Sequence, residues 1–447
     1  MLQCYAAGEC VPMTDPASSK TSGTRFPIRY LLVFWLMVIS AAVYVDRINI
    51  SIASTGISKE FSIGNVHMGW VYAAFLVGYA GLQIPAGVLA RKLGPRLTLG
   101  LLGVWRPIFI VLIAFIPHGF GNPLIILIFL RFALGAGEAT MFPATSQFVE
   151  RWFPVSERGK ANGLIFAGIG LAGLTTRLMG EIILRFGWRA TFGFTSTIGA
   201  LAGLVWYLAS RNTPEEHPWV GDTERALILS QRRVKAVAKE DDSQYGKHKI
   251  PWLSIFSSKA VLAVTLSYFA YGYVAWMFYT WFFTYMSQAR GLNLKTSALY
   301  TMLPFIAMTT GCLLGGAISD WITKHYGARQ GRCLLSAVAL AITAVLLVMG
   351  SRIESAMAAA FMLAFGVGVL FIAQSIYWAV AADISGEYVG VVSGIMNMGA
   401  QVGGVCTALL TPLIAAQFGW NASFATAAVI AAIGALAWLV IDPKSTL

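Results

Sequence analysis

Twelve apolar runs of about 20 residues leave this chain few folds to choose from, since a helix of that length is what the roughly 30 Å hydrocarbon layer of a bilayer requires. They lie near 28–50, 66–90, 97–117, 123–147, 159–183, 190–210, 253–285, 296–318, 332–350, 354–380, 388–414 and 420–441. Charge is scarce: Asp, Glu, Lys and Arg make up 12% of the chain, about half the share in a soluble domain. The expected fold is an all-α polytopic membrane protein with twelve transmembrane helices, each satisfying its own backbone.

One polar interval, 211–252, separates six runs from six. Its charged sequence holds a single short amphipathic piece near Glu224–Val237. The chain thus reads as a cytoplasmic tail 1–27, a six-helix bundle 28–210, a linker 211–252, a second six-helix bundle 253–441 and a tail 442–447. A charged, polar tether need not pack between the bundles, so trimming within 236–245 is expected to spare function. The first tail has no basic stretch followed by a short apolar core and cleavage site, and no signal peptide is expected. The cysteines at 4, 10, 312, 333 and 406 show no CxxC spacing, which points to thiols without a metal or cofactor role.

Orientation follows from the basic residues, which cytoplasmic loops retain. With the N-terminus inside, 22 of the 32 Lys and Arg fall in inner segments and six in outer loops. The other four, Arg47, Arg106, Arg131 and Arg177, fall inside predicted helices. Both termini cytoplasmic, in the inner or plasma membrane, is the consistent arrangement. The net charge of +12 then faces anionic lipid and gives no reason to expect nucleic acid as a partner.

The bundles repeat each other. The loop after the second run, GVLARKLGPR, carries Gly87, Arg91, Gly94 and Arg96. The loop after the eighth, GAISDWITKHYGAR, answers it with Asp320 at the place of Arg91. FGWRATF (186–192) is echoed by FGWNASF (418–424). Duplication within twelve helices points to a secondary transporter, functional as a monomer, with its site between the halves near the midplane.

Few charges lie at membrane depth. Asp46 and Arg47 stand side by side in YVDRIN (44–49), about five residues before their run ends, and Arg131 and Glu138 are two turns apart on one helix face. At 1.5 Å per residue, Arg131 lies roughly 12 Å and Asp46 roughly 8–12 Å from the outer end. Asp46 is therefore expected against Arg131, with Glu138 deeper in the same cavity. Arg47 is left as the cation that grips a substrate carboxylate, for which the guanidinium fork offers two parallel hydrogen bonds. No histidine lies at membrane depth, so a carboxylate must carry any coupling proton. Glu138 is the first candidate and Asp46 the next, with Na⁺ as the alternative coupling ion. Arg106 and Arg177 read equally well as structural cations that snorkel or pair.

The second half offers neutral groups: an aromatic stripe from Tyr268 to Tyr285, then Gln374, Ser375, Tyr377 and Trp378, then Asn397 and Gln401. Such donors, acceptors and ring faces suit a hydroxylated or aromatic anion. An embedded enzyme is disfavoured, since HExxH, GxSxG and an intramembrane His are all missing. A channel fits poorly with a rocking, duplicated plan.

The 6+6 plan and the GxLaxxxGxR loop with its repeat resemble the major facilitator superfamily from Arg29 to Ile441. More narrowly, YVDRINISIA (44–53), GYAGLQIPAG (78–87), RFALGAGEATMFPA (131–144), RWFPVSERGKANG (151–163), TPEEHPW (213–219) and FYTWFFTYM (278–286) resemble the anion:cation symporter family. Its members carry sugar acids such as galactonate and glucarate, aromatic acids and related organic anions with protons or sodium. The resemblance implies uptake of an organic mono- or dicarboxylate by proton symport and alternating access, with substrate contacts at Tyr44, Arg47, Tyr79, Ser375 and Asn397. Three positions depart from the pattern. Arg91 stands where the superfamily usually has Asp, and Arg106 and Arg177 stand where a small, polar or Pro residue is expected.

Overall fold

The computed structural model describes residues 2–4, 10–12, 27–117, 121–154, 157–228, 252–385 and 388–441. The rest of the tails and of the linker, 236–245 included, lies outside the described residues. A short antiparallel pair, Leu2–Cys4 with Cys10–Pro12, precedes the helices.

The first helix, α1, is Ile28–Phe61. The next spans Asn65–Ala114, 50 residues or about 75 Å at 1.5 Å per residue, too long for one crossing. Gly94, at φ 77 and ψ 162, breaks it into α2 (65–93) and α3 (95–114). There follow α4 Pro123–Trp152, α5 Arg158–Phe186 and α6 Trp188–Ala209. In the second half, α7 Lys259–Thr280 is prolonged through Phe282–Thr284 into a π turn, Tyr285–Ala289. It is followed by α8 Leu294–Tyr326, α9 Arg329–Arg352, α10 Ala356–Ile384, α11 Val389–Phe418 and α12 Trp420–Val440. The described residues thus form the expected all-α, twelve-helix membrane fold. The largest departures from the expected bounds are in α1, which runs 11 residues past 50, and in α8, which runs eight past 318. Helix α1 continues past residue 50 because Ser51, Ile52, Ser54 and Ile57 are buried, so packing extends a helix whose apolar run has ended.

The duplication is structural. In the first half α1 packs on α5, α2 on α4 and α3 on α6; in the second, α7 packs on α11, α8 on α10 and α9 on α12. The repeated loop motifs share a backbone as well. Gly94 and Gly327 have φ 77 and 94 with ψ 162 and 164, and Gly187 and Gly419 have φ 81 and 80 with ψ 167. This region is open essentially to glycine alone, which explains why the sequence repeats glycine there. After Gly94, the Arg96 N–H donates to Asn212 Oδ1 at 3.1 Å, and its Nε donates to the Tyr207 carbonyl at 3.0 Å. The loop is therefore anchored on the end of α6. Arg91 and Asp320 are exposed and Gly87 is half-buried.

Helix α4, which carries Arg131 and Glu138, lies against α2 with almost no space between backbones. A Cβ on Gly135 would stand 2.1 Å from the Phe75 carbonyl oxygen, and one on Gly78 would stand 2.2 Å from that of Phe132. Gly135→Ala is expected to force the helices apart at a cost of about 1–3 kcal/mol. Its thermal unfolding in detergent should fall clearly below wild type, whereas Gly163→Ala, whose added Cβ meets nothing within 4 Å, should be neutral.

The described start of the linker is docked on the first half. Glu224 accepts from the N–H groups of Ile28 (3.1 Å) and Arg29 (3.2 Å) and from Arg29 Nη1 (3.1 Å), a carboxylate cap on the free donors of the α1 N-terminus. His217 closes the other end of this segment. Its Nδ1 accepts from the Trp219 N–H at 3.2 Å, its Nε2 donates to the Ala209 carbonyl at 2.8 Å, and Trp152 lies edge-on. The bond to Nδ1 needs the neutral ring, because a protonated Nδ1 cannot accept, and burial pushes the His217 pKa below its ordinary value. A depressed histidine pKa gives stability that is complete above the unfolded value, near 6.5, and lost as pH falls below it. Thermal stability measured from pH 7.5 down to 5.5 should therefore decline more in wild type than in His217→Gln.

Since α1 begins and α12 ends on one side of the bundle, that side is the terminal side and the other the far side. Polar contacts join the halves toward the far side. Ser51 Oγ donates to the Thr280 carbonyl (2.6 Å) and Thr176 Oγ1 to that of Ala298 (3.0 Å). Asn65 Nδ2 donates to Gln288 Oε1 (2.7 Å), and Lys295 pairs with Glu181 at 3.0 Å. These contacts close the halves on each other at the far side.

Candidate functional site

Adjacent residues on a helix point about 100° apart, so Asp46 and Arg47 leave α1 in different directions. Arg47 turns to the seam between the halves. Its guanidinium carbon lies 4.8 Å from the ring centre of Tyr44, 5.3 Å from Phe75, 5.1 Å from Tyr79 and 5.8 Å from Trp276. The last of these rings comes from α7 in the opposite half. Glu138, fully buried on α4, accepts from Arg47 Nε at 3.0 Å, while Arg47 Nη2 has no hydrogen-bond partner. One edge of the fork is thus held by an acid, and Nη2 is left without an acceptor.

Asp46 turns into the first half, and there the sequence expectation is corrected. Its carboxylate pairs with Arg106 of α3, not with Arg131. Arg106 is 1% exposed, lies beside Gly199 of α6, whose missing side chain leaves room for the guanidinium, and also approaches Glu138 at 3.8 Å. A cation read as ambiguous in the sequence is therefore at the centre of the cluster. Arg131 is 3% exposed, rests on the Phe75 ring at 4.6 Å, and its Nε has no hydrogen-bond partner. Arg177, by contrast, is exposed and outside the cluster.

Across the seam, Tyr279 faces Tyr44 with ring centres 6.0 Å apart. Ser375 Oγ and Gln401 Oε1 are buried without hydrogen-bond partners, and Asn397 is half-buried. Gln374 exchanges hydrogen bonds with Tyr268, at 3.2 and 3.4 Å. Tyr377 sits differently. Its hydroxyl contacts Ser267 Oγ at 2.8 Å, donates to the Ser267 carbonyl at 3.1 Å and accepts from Trp438 Nε1 at 3.4 Å. With its hydroxyl engaged inside the second half, Tyr377 is a packing residue there rather than a free donor at the seam. Among the described residues, no three His, Cys, Asp or Glu side chains gather in a way that could hold a metal ion.

Comparison with known proteins agrees with this architecture. A probable sulfoacetate transporter of Cupriavidus necator is 30% identical over 428 residues, covering 94% of this chain and 96% of its own. The D-galactonate transporter of Escherichia coli is 29% identical, covering 96% and 98%, and the hexuronate transporter of Bacillus subtilis is 28% identical, covering 91% and 93%. In fold, the chain is similar to a bacterial homologue of the human lysosomal transporter Spinster in an inward-facing, unoccupied conformation, with TM-score 0.73, 16% identity, and 93% and 98% of the two chains covered. It is also similar to a D-xylose–proton symporter, with TM-score 0.68, 16% identity, and 94% and 98% covered. The Major Facilitator Superfamily profile matches residues 36–405 and 379–447, and the chain belongs to that superfamily of membrane transporters.

Proposed function

We propose that the protein takes up an organic mono- or dicarboxylate, foremost a sugar acid of the galactonate or glucarate type, by proton symport across the cell's inner or plasma membrane. The observation that carries this reading is the Arg47–Glu138 pair at the seam. A substrate carboxylate and the Glu138 carboxylate compete for one guanidinium. A proton on Glu138 weakens its hold on Arg47, so proton and substrate load together, and charge-assisted bidentate binding supplies the affinity. The neutral groups of the second half, Ser375 and Asn397 among them, then meet substrate hydroxyls. With both termini cytoplasmic, the far side is the outer face, and halves joined there by polar contacts fit an inward-facing state in an alternating-access cycle.

The ring of Tyr44, Phe75, Tyr79 and Trp276 around Arg47 favours a second reading, an aromatic carboxylate stacked beside the guanidinium. Uptake of sugar acids and aromatic acids by proteoliposomes, with a pH gradient, with a sodium gradient and with neither, tests both readings. Saturable accumulation that follows the pH gradient is expected. Accumulation that follows only sodium, or none for any organic anion, would overturn the proposal.

A further inference from the structure

Three guanidiniums and two carboxylates share the buried cluster. Asp46 is matched by Arg106 and Glu138 by Arg47, with Arg106 also 3.8 Å from Glu138. Arg131 is left over. It is 3% exposed, no carboxylate among the described residues forms an ion pair with it, and it rests on the Phe75 ring, 4.6 Å away, with Glu138 and Asp46 acting on it from beyond ion-pair distance. Those two acids are already engaged by Arg47 and Arg106, and a guanidinium cannot shed its proton in a protein, so the cluster keeps one positive charge that its own carboxylates do not balance. The surplus grows during the loading step: with Glu138 protonated, as the symport reading requires, only Asp46 opposes the three cations.

We infer that the site selects substrates carrying two anionic groups, one received by Arg47 and the other by Arg131. This rests on the organic-anion reading and narrows it. Both cations lie against Phe75, at 5.3 and 4.6 Å from its centre, so their guanidinium carbons are at most about 10 Å apart, each within cation–π range of one ring. Two acidic groups a few carbons apart bridge such a gap, each standing roughly 3 Å from its guanidinium nitrogen. Charge decides between substrate classes. A dianion loaded with one proton brings the cluster to neutrality, whereas a monoanion with a proton leaves one positive charge unanswered where water cannot screen it. Arg106 is what makes this possible, because it takes Asp46 and so leaves Arg131 free.

The test uses matched probes on purified, full-length protein at a pH where all acid groups are ionised: glucarate against gluconate, sulfoacetate against acetate, phthalate against benzoate. Affinities come from calorimetry and from counterflow in proteoliposomes. In wild type, the doubly charged member of at least one pair should bind about tenfold tighter, the worth of one charge-assisted hydrogen bond. Arg131→Gln should close that gap by weakening the dianion more than the monoanion, and Arg131→Lys should restore part of it. Arg106→Leu provides an independent arm. With Asp46 deprived of its partner, Arg131 becomes its nearest remaining cation, and the margin should collapse although Arg131 itself is intact. Equal affinities within every pair that binds, or an Arg131→Gln variant that weakens both members alike, would overturn the inference and leave organic-anion transport standing. Failure of wild type to bind any probe would overturn both. Should Arg131→Gln not fold, the wild-type comparison still decides.

Discussion

Arg47→Ala should lower the affinity for carboxylate substrates by at least about a hundredfold, within the 2–5 kcal/mol typical of truncating one partner of a buried charged contact. The residue is 5% exposed, pairs with Glu138 and is ringed by four aromatic side chains from both halves, so no other group occupies the same place. Arg47→Lys should recover little, because an ammonium is a point charge without the planar fork. The fold should survive the truncation, since Arg106 remains 3.8 Å from Glu138 and keeps that acid from being isolated. Calorimetry on monodisperse variants checks this. Wild-type affinity in Arg47→Ala would sink the assignment of Arg47.

Glu138→Gln should separate exchange from accumulation. The amide mimics the protonated acid in shape and charge and leaves Arg47 available, so substrate counterflow should persist. With no proton to take up or release, accumulation driven by a pH gradient should fall to the level of passive equilibration. Asp46→Asn makes the contrast. It removes the closer of the two acids on Arg106, which is 1% exposed and keeps only Glu138 at 3.8 Å, and breaking a buried pair in this way costs up to about 3–5 kcal/mol. That variant should lose stability and should therefore lose exchange and accumulation together. Gradient-driven accumulation that persists in Glu138→Gln would move the coupling role elsewhere, with Asp46 the next candidate.

Much of the architecture was legible because one-dimensional signals carry it. Apolar run length gave the twelve crossings, the repeated loops gave the two halves, and Gly94, Gly187, Gly327 and Gly419 marked turns that only glycine makes. Depth along a helix was legible too, but the direction a side chain takes around the bundle was not. Arg106 lies eight residues before the end of α3 at Ala114, roughly 12 Å deep, the same depth as Arg131. Depth alone therefore admitted both as partners of Asp46, and helix packing chose between them. A signal was present all the same: an arginine in the middle of an apolar run is costly enough to read as functional by default. Tyr377 failed for the same reason. Its type suited a substrate, but its direction gave its hydroxyl to Ser267 and Trp438.

Glycine lets backbones approach closely within each half, at Gly78, Gly135, Gly311 and Gly315, and also across the seam, where a Cβ on Gly69 would stand 2.4 Å from the Ala408 carbonyl oxygen and one on Gly173 would stand 2.1 Å from Phe305 Cβ. The tight packing within each half keeps it one body. The close approach across the seam is joined by hydrogen bonds such as Ser51 to Thr280 and Thr176 to Ala298, worth roughly 1 kcal/mol apiece, which a rocking motion has to break and a bound anion touching both halves has to offset.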